Sequence, residues 1–163
     1  VAFGLDTRLF SLSERAAAAA GNGEHEHHAQ EVDLIEIARP WSGDASALLS
    51  PTDVLGLLER LSPEDVYRVK GIVRLARAIS EAAASDPSLP PGTAVASGLL
   101  YIVNHAFGRY TFTPLTAAAA AHDGVLARLT VMGSGLRMVR PLLQSALQAA
   151  DSDVSVRWAR EGA

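Results

Sequence analysis

The chain has 163 residues, a net charge of -4, 48% apolar residues and no cysteine. That length suits one domain with a real core, although alanine runs at Ala16–Ala20 and Ala117–Ala121 make the core smaller than the percentage suggests. The charge argues against a nucleic-acid partner, and the missing cysteine excludes disulfides, thiolate zinc sites, iron–sulfur clusters and cysteine nucleophiles.

Val1–Leu12 is mildly apolar, and Asp6-Thr7 can cap a helix over Leu9–Ala20, where alanine favours helix. Gly21-Asn22-Gly23 should stop that helix, and residues 21–30 read as a mobile polar loop. Glu31–Ile37 alternates partially and predicts a strand with Val32, Leu34 and Ile37 inward, ended by Pro40. Ser50-Pro51-Thr52-Asp53 is a helix start, and Val54, Leu55, Leu58 and Leu61 continue it at helical spacing until Ser62-Pro63 turns the chain.

Val66–Leu75 is a β-rich segment with Gly71 inside it, a position that often marks a bulge or a close approach. Arg77–Ala84 predicts a short helix and Asp86–Thr93 a loop. Leu99–Val103 and Phe107–Pro114 predict two strands joined through Asn104-His105-Ala106. Val125–Met132 predicts another strand. Gly133-Ser134-Gly135 then leads into a helix over Leu136–Ala149 with Leu136, Val139, Leu143 and Leu147 on one face. The tail from Asp151 reads as polar and loosely ordered. The order predicts an α+β fold, a mostly antiparallel sheet of about four to five strands with helices packed on one face. Residues 1–30 read as a junction helix and His-rich loop, 31–150 as the folded domain and 151–163 as the tail. With no apolar run of about 18 residues and no leader pattern, neither a membrane span nor export is expected, and the expected location is cytoplasmic. The chain begins at Val1, which fits a processed product or a piece of something longer.

Glu24-His25-Glu26-His27-His28 is the main chemical motif. Imidazole and carboxylate suit a divalent ion such as zinc, and a Gly-flanked segment can bend His25, His27, His28, Glu24 and Glu26 around one. The alternative is a solvated linker. Arg68, Lys70 and Arg74 share one alternation of a strand, which fits either a positive interdomain or partner face or an internal ion-paired one. His105 reads as hydrogen-bonded packing more readily than as a ligand, and His122 likewise. Gly133-Ser134-Gly135 reads as a tight turn, since it lacks the lysine and spacing of a phosphate loop. No Ser/His/Asp arrangement stands at a nucleophile elbow, so no catalytic residue is assigned.

Several segments together resemble the C-terminal domain of CobW-type proteins, a family of metal-linked GTPases. They are Gly4–Phe10, the His-rich stretch with Glu31-Val32-Asp33, Val66–Leu75 with its Arg68-Val69-Lys70-Gly71 core, Tyr101–Tyr110, and Leu129–Gly133. The resemblance spans roughly residues 1–148. It implies a parent in which a G domain binds GTP and metal, followed by this domain, which serves metal handling or partner recognition. Two family features are absent. The one lysine, Lys70, lies in a predicted strand, so there is no G-x-x-x-x-G-K-[ST] loop, and there is no Cys-x-Cys-Cys motif. GTP binding and hydrolysis therefore do not carry over, and the chain itself is not expected to be an enzyme. The expectation is an accessory domain of a zinc-trafficking GTPase, with zinc or another divalent ion as cofactor and a G domain or metal-dependent client as partner. The alternative is an interaction module without metal, whose sheet face binds a partner.

Overall fold

The computed structural model describes residues 32–79, 92–115 and 122–159. The chain divides into two units, Val1–Gln30 and Glu31–Ala163, and the description concerns the second. The predicted helix Leu9–Ala20 and the histidine cluster lie outside the described residues.

The elements run β1 (Asp33–Pro40), a 3-10 turn (Ala45–Ala47), α1 (Pro51–Arg60), β2 (Val66–Arg77), β3 (Ala94–Ala106), β4 (Arg109–Pro114), β5 (Val125–Gly133), α2 (Arg140–Leu147), a second 3-10 turn (Asp151–Asp153) and β6 (Val154–Arg157). The fold is α+β. Its six strands form one sheet in the order β4-β3-β2-β5-β1-β6, and every neighbouring pair is antiparallel. The sixth strand corrects the expected count of four to five. It comes from the tail, where Val154 and Val156 pack on the core while Ser155 and Arg157 point the other way. Four residues of mixed polarity read as coil until β1 supplies the pairing edge.

Antiparallel register sorts the side chains cleanly. Ile35 and Ile37, Val69 and Val73, Tyr101 and Val103, Phe112, and Leu129 and Val131 lie on one face. Val54, Leu57 and Leu58 from α1, Leu61 just past its end, and Leu136, Leu143 and Leu147 around α2, join them in one core. The inward phase of β1 differs from the expected one, since Asp33, Ile35 and Ile37 are buried while Val32 and Leu34 are half-buried. Asp33 explains the shift. Its Oδ2 accepts the Leu136 N–H at 3.0 Å and its Oδ1 accepts the Ala159 N–H at 2.7 Å, so a carboxylate takes an inward position that composition gave to leucine.

Three boundaries also move. The β3–β4 connection is Phe107-Gly108, not Asn104–Ala106, because Ala106 pairs with Arg109. Arg77 ends β2 and Ala78-Ile79 are not helical, while residues 80–84 of the expected helix lie outside the described residues. Residues 136–139 precede α2 in tighter i→i+3 turns, with Val139 N–H donating to Leu136 O at 3.0 Å. Gly71 shows the close approach expected of it. A Cβ there would collide with the Arg128 carbonyl oxygen and lie 2.8 Å from Leu129 Cα, both backbone atoms of the adjacent β5.

Candidate interaction face

The sheet face away from the two helices carries Arg68 and Lys70. In register across the sheet, one row of this face reads Arg109, Ala106, Arg68, Met132, Leu34, Arg157. The next reads Thr111, Asn104, Lys70, Thr130, Glu36, Ser155. Arg68, Arg109 and Arg157 are exposed and Lys70 half-buried. Among the described residues none of the four makes an ion pair or a side-chain hydrogen bond. Glu36 is the one carboxylate at a described strand position on this face. Toward the other end of the same face Ile72, Leu100 and Leu115, with Ile102, form a second small apolar cluster.

Arg74 shares the alternation of Arg68 and Lys70 but is not available to a partner. It is 4% exposed. Its Nε donates to the Val125 carbonyl at 3.0 Å, Nη1 to Ser97 O at 2.7 Å, and Nη2 to His122 O at 2.9 Å and Asp123 O at 3.3 Å. The guanidinium also lies 4.1 Å from the centre of the Trp41 ring. Gly98, at φ +69, makes room, since a Cβ there would come within 2.6 Å of Arg74 Cγ. Burial pushes the Arg74 pKa down, partly opposed by nearby Asp123, yet an arginine stays charged at neutral pH. Arg74 thus ties β2 to the β5 entry and to β3, a structural role that corrects its place in the partner-face set.

His105 points into the helix-covered side and is fully buried between the registers of Val69 and Tyr110. Among the described residues neither ring nitrogen finds a hydrogen-bond partner, so it is not the hydrogen-bonded packing residue expected. Burial pushes its pKa down, and the ring is neutral at neutral pH. The unfolded chain takes up the proton near about pH 6.5, whereas the folded chain resists it until lower pH. Stability is therefore complete above that value and is lost as the pH falls toward the folded pKa, at up to about 1.4 kcal/mol per pH unit. His105→Leu should flatten this dependence. Urea midpoints measured between about pH 7.5 and 5.5 test it, and equal slopes in parent and variant would refute it.

The Gly133-Ser134-Gly135 turn is tight, as expected. Ser134 N–H donates to Asp65 O at 2.8 Å, Tyr67 Oη donates to Ser134 Oγ at 3.1 Å, and the Leu136 N–H is taken by Asp33. Those contacts leave no anion nest. Clefts of about 370 Å³ beside Pro51 and Arg77, and about 170 Å³ beside Arg39 and Arg128, have no carboxylate or imidazole in their linings. Among the described residues no group of three or more His, Asp or Glu is placed to hold a metal ion, and no helix is long and apolar enough to cross a membrane.

Residue-level reading found Arg68 and Lys70 but missed Arg109, Arg157 and Met132. Arg109 was legible in principle, because a two-residue turn at Phe107-Gly108 carries it to the row of Arg68. Arg157 was not, since its strand exists only through pairing with β1, more than a hundred residues earlier. No family model, curated protein or solved structure matches this chain.

Proposed function

We propose that this chain is the accessory, non-catalytic domain of a cytoplasmic zinc-trafficking GTPase system. His25, His27 and His28, with Glu24 and Glu26, capture a divalent ion, zinc first, and the sheet domain docks on a G domain or a metal-dependent client. GTP chemistry belongs to that partner, because this sequence lacks a phosphate loop.

The observation that supports the reading is where the family-like segments fall. Val66–Leu75 forms most of a central strand, β2. Tyr101–Tyr110 spans the β3–β4 hairpin beside it, and Leu129–Gly133 ends β5 on its other side. Segments that resemble the family separately in sequence are neighbours in one sheet, and the histidine cluster precedes that sheet's first strand.

A zinc titration of the chain beside a His25→Ala/His27→Ala/His28→Ala variant tests the metal half. Binding of about one equivalent is expected in the parent and not in the variant. Neutral imidazole is the ligand, so affinity should fall as the pH drops through about 6.5. Equal, negligible binding in both would leave the second reading, an interaction module without metal function. The exposed basic side chains on the sheet face, Arg68, Arg109 and Arg157 among the described residues, favour that alternative.

A further inference from the structure

The β3–β4 turn carries an unusual residue. Both of its central positions have positive φ, Phe107 at 51° and Gly108 at 77°. Two-residue hairpin turns of this kind favour Asn or Gly at the first position, and a bulky side chain in left-handed backbone costs about 1–2 kcal/mol. Burial does not offset that cost, since Phe107 is 73% exposed. Its N–H donates to Tyr67 O at 3.4 Å, which ties the turn to β2 beside Arg68. An exposed aromatic residue therefore stands in the turn that joins Ala106 and Arg109, two neighbours in the row that also contains Arg68, Met132 and Arg157. Arg109 and Arg68 flank Ala106 at about 10 Å separation, two strand spacings. Met132 beside Arg68 is 37% exposed.

We propose that this row is a docking surface for an acidic protein segment with interleaved apolar side chains. Phe107 and Met132 take the apolar groups, while Arg68, Arg109, Arg157 and Lys70 pair with its carboxylates. Charge complementarity selects the partner. The chain as a whole is at -4, yet these four cations stand with a single strand carboxylate, Glu36, on one face. Exposed aromatic and arginine anchors of this kind dominate protein interfaces. Nucleic acid fits less well. Base recognition without sequence preference needs successive aromatic rings along a basic groove, and the strand positions of this face carry none, Phe107 in the turn being a single ring. An anionic lipid surface gives no alternation of charge with apolar groups to match the row of arginines with Met132 among them.

The inference rests on the docking half of the reading above and not on its metal half, so absence of zinc binding leaves it standing. The test uses the full chain and a fluorescein-labelled peptide of alternating glutamate and leucine, titrated at low and moderate salt. Oligothymidylate and vesicles of phosphatidylcholine with phosphatidylserine are the competing probes. The expected result is salt-sensitive binding of the acidic peptide, about tenfold or more weaker in Arg68→Glu/Arg109→Glu. Phe107→Gly separates a binding role from a folding one. It should weaken the peptide by several-fold while thermal stability stays equal or rises, because glycine accepts this backbone without strain. The proposal is overturned by no binding of the acidic peptide, by binding indifferent to the charge reversals, or by tighter binding of oligothymidylate or vesicles at the same residues.

Discussion

Gly71→Ala should destabilise the domain by more than about 3 kcal/mol, a large part of the roughly 5–15 kcal/mol that holds a typical domain folded. The reason is location more than residue type. Gly71 lies in β2 between Val103 of β3 and Leu129 of β5, and the added methyl would meet the β5 backbone, not a yielding side chain. Relief requires separating β2 from β5 at the middle of the sheet, which breaks ladder hydrogen bonds and opens the core above them. Gly56→Ala is the matched control. Gly56 lies within α1, and a methyl added there would have nothing within 4 Å, so alanine should stabilise by about 0.5–1 kcal/mol through helix propensity. Urea unfolding of both variants reads the two signs. Equal stabilities for Gly71→Ala and the parent would show that the strands separate without cost.

The second large effect is expected at Arg74. Arg74→Ala removes the donors for four backbone carbonyls and the cover over Trp41, and should cost about 3–4 kcal/mol. Arg74→Lys should recover little of that. A lysine keeps the charge, but its three donors radiate from one point and cannot reproduce the planar fork that reaches Val125, Ser97, His122 and Asp123 together. Arg68→Ala, at an earlier position on the same alternation, should change stability by no more than about 0.5 kcal/mol because its side chain is exposed and unpaired. Thermal unfolding of the three variants separates these roles. An Arg74→Lys variant as stable as the parent would mean that charge, not the donor fork, is what the site needs.

Arg68 and Arg74 also mark how far the sequence can be read. Alternation put both on one face, and both are there. What alternation does not carry is cover, and the same face is open at Arg68 and closed at Arg74. The residues that close it, Trp41, Ser97, His122 and Asp123, come from distant parts of the chain.

The α+β class, α1 with its Pro51 start, β2, β5 and the apolar stripe of α2 were legible because each depends on local periodicity and on residues a few positions apart. Tertiary structure decided what needs a distant partner. It set the inward phase of β1, where Asp33 answers N–H groups at Leu136 and Ala159. It made a strand of Val154–Arg157 by offering the edge of β1. It also left the His105 ring without a hydrogen-bond partner among the described residues and set Phe107 in solvent in the turn before Arg109. The physical reason is common to all four. Local pattern fixes which way a side chain alternates, whereas burial, pairing and charge neighbourhood are properties of strands that meet only after the chain has folded.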